Sequence, residues 1–145
     1  MTRNIEDLAA CGADEGGLYI PGNLCNFVLL NLRLSDLDIK DFESRGGIAS
    51  LYSIHEDVKY IYLDAFIKAG TSVNNESVMS GLPPLHAAIL ANDNQLVTFL
   101  LAREASLTQL NSQFGMNARD FTYHLAEIKP NVDRSDVLNT LSVPK

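Results

Sequence analysis

The sequence predicts an all-α fold, built as a solenoid of helical hairpins closed by capping helices. Two observations carry that reading. Aligned on itself, the chain sets Gly47, Leu51, Phe66, Ile67, Gly70 and Val73 against Gly81, Leu85, Leu100, Leu101, Glu104 and Leu107, each 34 positions on and without a gap. A third copy opens at Gly115, where "GMNARDFTYHLA" replaces "GLPPLHAAILAN". Self-similarity near this period marks supersecondary units that must stack to bury their apolar faces. The second observation is composition. With 145 residues, 46% hydrophobic and 20% charged, the chain can bury one continuous core without metals or cross-links, so residues 1–145 are expected to form a single ordered domain.

Residues 1–44 are expected to cap the stack. A first helix lies in "TRNIEDLAAC" and halts at Gly12; a second, "NLCNFVLLNLRL", follows the Pro21-Gly22 turn, and a third starts with Ser35 as N-cap. The apolar run in the second is far shorter than the roughly 20 residues a membrane crossing needs. Residues 45–126 carry the repeats. In the middle unit Ser80-Gly81 makes a turn, and Pro84 presets φ at the first helical position, where its missing N–H does no harm. Ala87 and Ala88 permit close approach of a neighbouring helix, with Leu85 filling the space between units.

Asn92 stands where the first helix must end in a left-handed conformation, which asparagine tolerates, and Asp93 can cap the next helix. Leu96, Val97, Phe99, Leu100 and Leu101 then form a wide apolar stripe. Because the ends of a stack expose apolar faces, residues 127–145 are expected to close it. Pro130 breaks the chain, Asp133 caps a last helix, and Val137, Leu138 and Leu141 cover the final unit.

The stretch "GLPPLHAAILANDNQLVTFLLAREASL" resembles an ankyrin repeat, whose usual form runs Gly-x-Thr-Pro-Leu-His-x-Ala-Ala and later Leu-Leu-x-x-Gly-Ala. Pro84, Leu85, His86, Ala88, Val97, Leu100, Leu101 and Ala105 match, and "FIKAGTSVN" at 66–74 looks like the ending of the preceding unit. The resemblance covers about residues 45 to 126 and implies an ankyrin-type solenoid in which His86 bonds backbone groups of neighbouring turns. Pro83 departs from the pattern by removing a threonine hydroxyl that would orient His86. Glu104 replaces a turn glycine, at a cost on the order of 1 kcal/mol of left-handed strain. In the first unit Ala49, Ser50 and Tyr52 replace the Thr, Pro and His positions.

No constellation for catalysis emerges. His86 reads as structural; His55 and His124 lack the i, i+4 partner or Glu neighbour of a zinc helix. Cys25 sits in an apolar run, and Cys11 has no nearby base to form thiolate. No Gly-rich phosphate loop occurs. The expectation is therefore a non-enzymatic chain without metal, cofactor or small-molecule substrate, with a Cys/His hydrolase as the distant alternative.

What remains is surface. The resemblance implies that partners bind the turn tips and the exposed side of each first helix. Counted from the glycine of each unit, the expected partner-binding residues are Arg45, Ile48, Glu56 and Asp57, then Met79, Leu82 and Leu90, then Phe114, Met116 and His124. Met79, Leu82, Leu90, Phe114 and Met116 are large and apolar where solvent favours polar groups, which suits interface anchors. Glu56 and Asp57 would form an acidic rim.

A formal charge of -7 and pI near 4.8 disfavour nucleic acid and anionic membranes and favour a partner protein with a basic surface. Residues 1–70 hold eleven acids against six bases and the remainder seven against five, so the field is stronger toward the N-terminus. The two cysteines, with no basic and apolar leader before them, suit a reducing cytoplasm. The most concrete expectation is an acidic inhibitor of immunity type that occludes a basic toxin or enzyme; the alternative is an adapter that recruits a partner without inhibiting it.

Overall fold

The computed structural model describes Leu30, residues 34–78 and residues 80–143, and every regular element among them is helical. In chain order these are α1 (Asp36–Ser44), a 3₁₀ helix (Gly47–Leu51), α2 (Glu56–Lys68), α3 (Pro84–Leu90), α4 (Asn94–Leu101), α5 (Ala118–Ile128) and α6 (Ser135–Ser142). None of the helices among the described residues is long and apolar enough to cross a membrane. The helix expected in 2–11, Cys11, Cys25 and Met79 lie outside the described residues, and the helix expected over 23–34 is described only at Leu30, which is helical, and Leu34, which precedes the Ser35 cap. The chain divides into two compact units, the first ending at Ser72 and the second beginning at Val73.

In the first unit α1 and α2 both pack on the 3₁₀ helix. Ser35 caps α1 as its sequence suggests: its Oγ accepts the Asp38 N–H at 3.3 Å while the Asp38 carboxylate accepts the Ser35 N–H at 3.3 Å, a reciprocal capping box. Phe42 and Phe66 meet with ring centroids 4.7 Å apart and are buried with Leu51, Tyr62 and Leu63. Ala49 and Ser50 lack the helix-starting signal of Thr-Pro, and this segment forms one short 3₁₀ turn instead of an α-helix. That geometry corrects one expectation. With three residues per turn, Ile48 and Leu51 eclipse on the same face, so Ile48 is 1% exposed and belongs to the core, not to a binding wall.

In the second unit α3 packs against α4 and α5, and α6 packs against α4 and α5. Pro84 is the first residue of α3, and Asn92 ends its turn at φ 55°. The Asn92 side chain donates to the Asp133 carbonyl at 2.9 Å, which ties the turn to the entry of α6. Asp93 accepts the Leu96 N–H at 3.0 Å and caps α4. The apolar stripe on α4 is narrower than expected: Leu96, Val97 and Leu100 are buried, while Phe99 and Leu101 are half-buried. The Arg103 guanidinium covers the Phe99 ring at 3.5 Å from its centroid, a cation–π contact at the core's edge.

Asp133 accepts both the Ser135 N–H at 2.9 Å and its hydroxyl at 2.7 Å, and those bonds hold its carboxyl below the ordinary carboxylate range. The next residue, Arg134, is buried and donates from Nη1 to the Ile89 carbonyl at 2.7 Å, near the end of α3; burial pushes its pKa down. Val137 and Leu141 bury the inner face of α6, whereas Leu138 is half-buried, and the N-cap is Arg134, without a side-chain cap bond, instead of the expected Asp133.

Backbone geometry recurs at the spacing of the self-alignment. Gly47, Gly81 and Gly115 take φ of 66°, 66° and 65°. Gly70 and Glu104 are both left-handed, at 114° and 66°. The Thr71 N–H donates to the Phe66 carbonyl and the Ala105 N–H to the Leu100 carbonyl, each at 3.0 Å. Ser77 N–H to Leu82 carbonyl and Gly81 N–H to Ser77 carbonyl, at 3.0 and 2.8 Å, are matched by Asn111 to Met116 and Gly115 to Asn111, at 3.0 and 2.9 Å.

Candidate functional site

Glycine at 115 lets the chain reverse over 111–116, and the reversal is held by several bonds. The Asn111 N–H closes it onto the Met116 carbonyl, and the Phe114 N–H donates to the Asn111 side-chain oxygen at 2.7 Å. From the preceding loop the Glu76 carboxylate accepts the Ser112 N–H at 2.6 Å and the Ser112 hydroxyl at 2.7 Å. These bonds hold the turn with Phe114 at its tip, 45% exposed, and leave Asn111 Nδ2 buried without a partner.

His86 supplies the remaining support. Its Nε2–H donates to the Met116 carbonyl at 3.0 Å. A carbonyl can only accept, so the neutral ring carries its proton on Nε2 and leaves Nδ1 an acceptor. The side chain is wholly buried and Nδ1 has no partner. Burial pushes the imidazole pKa below its ordinary value, with the Met116 carbonyl and then the Glu76 charge pulling the other way. The ring stacks obliquely on Phe121 at 5.3 Å; Phe121 meets Phe114 at 5.7 Å, and Phe114 meets His124 at 5.7 Å.

This row of rings borders an open groove of about 240 Å³. Leu82 and Leu90 line one side, Gln113 and Phe114 the tip, and Phe121, His124, Leu125, Ile128 and Lys129 the other. Leu90 and Ile128 are 43% and 57% exposed, so apolar side chains reach solvent on both sides. Among the described residues the charged one lining the groove is Lys129, and no carboxylate among them lines it. A hollow of about 330 Å³ bounded by Leu107, Asn117, Arg119, Asp120 and Leu141 contains none of the expected wall residues.

Of the ten residues expected to form a binding wall, the groove gathers Leu82, Leu90, Phe114 and His124. Leu82 needs correction: the Ser77 N–H bonds its carbonyl and its own N–H bonds Ser80 Oγ, which folds the side chain inward. It is 4% exposed and forms floor, not wall. Met116 is half-buried and acts through its carbonyl instead of its thioether. His124 is half-buried.

Arg45, Glu56 and Asp57 are exposed residues of the first unit. Arg45 is paired with Asp41 at 3.0 Å, Asp57 lies 3.4 Å from His55, and Glu56 lies 4.0 Å from Lys59. Sequence reasoning missed Phe121, Leu125, Ile128 and Lys129. The first three stand at i, i+4 and i+7 on α5, a spacing that places them on one helix face. No protein-family model, curated protein or solved structure matches the chain.

Proposed function

We propose that this chain is a protein-binding module of ankyrin type that seats an apolar anchor of a partner protein in the groove between α3 and α5. The observation that carries the reading is the concentration of Leu90, Phe114 and Ile128, all exposed, around one open apolar groove. Apolar side chains clustered on a surface cost hydration until something covers them, and aromatic anchors of this kind dominate interface energetics. The ankyrin assignment draws support from the left-handed glycines and turn bonds that recur at the 34-residue offset. The net charge of -7 favours encounter with a basic partner. In its most concrete form the module is an inhibitor of immunity type that occludes a basic toxin or enzyme.

The test is affinity capture from native lysate with the wild-type chain, Leu90→Glu and Phe114→Glu. The wild type is expected to retain a basic protein that both variants lose, with each variant's unfolding free energy in urea changed by less than about 0.5 kcal/mol, as for surface substitutions. Activity of the captured protein should fall when the chain is added back. Equal capture by all three chains overturns the groove reading, and an unchanged activity of the bound protein overturns inhibition.

A further inference from the structure

We infer that His86 is the positioning residue for the Phe114 side of the groove, and that adding a proton to it releases the turn 111–116 and unmakes that side. The inference rests on the groove being the binding site. His86 stands on the core side of the turn and Phe114 on the solvent side, and one carbonyl joins them. Met116 O accepts both His86 Nε2–H and the Asn111 N–H that closes the turn. Phe121 is shared in the same way: its ring lies 5.3 Å from that of His86 and 5.7 Å from that of Phe114.

A proton on Nδ1 would have nowhere to go. That atom is buried and without a partner. From the loop before α3, Glu76 is the charged group that acts on the ring, and its carboxylate already accepts two bonds from Ser112. From α5 the ring faces the apolar Phe121 and the backbone of Asn117, while Arg119, Asp120 and Glu127 of that helix are exposed. α4, the other helix packed on α3, carries no charged side chain. A charged imidazole is therefore drawn toward water, because desolvation outweighs the favourable Glu76 charge and the Met116 and Asn117 backbone bonds.

The short route is local. Unlatching the Met116 carbonyl frees a solvent-facing turn, whereas freeing α3 would expose Leu85, Ala88 and Ile89 of the core. Openings of few apolar contacts cost less than global unfolding. Phe114 then loses the geometry that sets it against Phe121 and His124, and the groove loses its tip. Binding through the groove is thereby coupled to pH on the acid side of the ordinary histidine value, because burial lowers the His86 pKa.

The experiment needs no partner, so its failure is distinct from failure of the capture test. Backbone amide resonances of Asn111, Phe114 and Gly115, together with the ring-carbon resonance of His86, are followed by NMR from about pH 7.5 to about pH 4.5, a span that brackets an ordinary histidine. The three amides are expected to move together, with one midpoint below 6.5 that matches the His86 ring. In His86→Gln, whose side-chain amide can still donate to Met116 O but does not titrate, they should stay still. In His124→Gln the transition should persist. Amide movement that survives in His86→Gln overturns the inference. So does a His86 ring that titrates without the turn, or one that stays neutral until the whole chain unfolds. Should His86→Gln not fold, the wild type decides: midpoints of ring and turn that differ by more than about half a pH unit overturn the coupling.

Discussion

Pro83→Thr measures how His86 is held. Pro83 is the N-cap of α3 and makes no side-chain capping bond, and His86 three residues on leaves Nδ1 orphaned in the core. A threonine hydroxyl at the N-cap can accept the backbone N–H of the third helical residue, which is His86, and donate its own hydrogen to Nδ1. The restored cap contributes about 1 kcal/mol, and satisfying the buried acceptor about 1 kcal/mol more. Against this, releasing the proline constraint on the unfolded chain costs about 0.7 kcal/mol, and one buried methylene fewer costs about 0.8 kcal/mol. The net is a stabilisation of about 0.5 kcal/mol, small by itself but diagnostic in combination. In a His86→Ala background the acceptor is gone, so the same substitution should destabilise by about 0.5 kcal/mol. Urea titrations near pH 7.5, compared at unchanged m value, read both numbers. Equal effects in the two backgrounds would refute the claim that Nδ1 is an unmet acceptor.

Glu104 sits at φ 66° and is exposed, so Glu104→Gly should relieve left-handed strain and stabilise the chain by about 0.5–1 kcal/mol after the unfolded-state entropy of glycine is subtracted, measured by urea denaturation. Ile48→Ala should cost about 2–4 kcal/mol in the same assay because the side chain is in the core; a loss under about 0.5 kcal/mol would return Ile48 to the surface. His86 binds its proton less tightly folded than unfolded, so the unfolded chain takes up more protons as pH falls through 6.5 and stability falls with it. That contribution is fully present above 6.5 and is lost as pH drops through the lower folded value, and urea midpoints at about pH 7.5 and about pH 5 should differ less in His86→Gln than in the wild type. Asp133 has the same sign for a carboxylate: its carboxyl-carbon NMR midpoint should lie below 3.8 and rise toward it in Ser135→Ala.

Local signals were legible in the sequence because their partners lie within one helical turn. Ser35 and Asp93 cap the helices they precede, Pro84 opens α3, and Asn92 takes the left-handed conformation its position demands. Each of these depends on the backbone within about four residues. Ile48 and Leu82 were misplaced for the complementary reason. Counting from a repeat glycine assumes a constant rotation per residue, and a 3₁₀ turn at 47–51 and a folded-back loop at 77–82 change that rotation. A one-step change in register is enough to turn an exposed position into a core one.

The groove shows where longer range defeats pattern reading. Phe114 and His124 were found because a glycine fixes where the tip lies. Ile128 and Lys129 were assigned to a terminal cap because the resemblance ends near 126, although α5 carries the apolar face of Phe121 and Leu125 on through Ile128. The bonds that hold the tip span 36 residues from Glu76 to Ser112 and 30 from His86 to Met116. No local propensity encodes a pairing at that distance; it follows only once two turns with the same internal bonding face each other. His86 was read as architecture, and the carbonyl it bonds belongs to the turn that presents Phe114. A residue that fixes a short turn also aims whatever that turn displays, so one hydrogen bond serves both the core and the exposed Phe114.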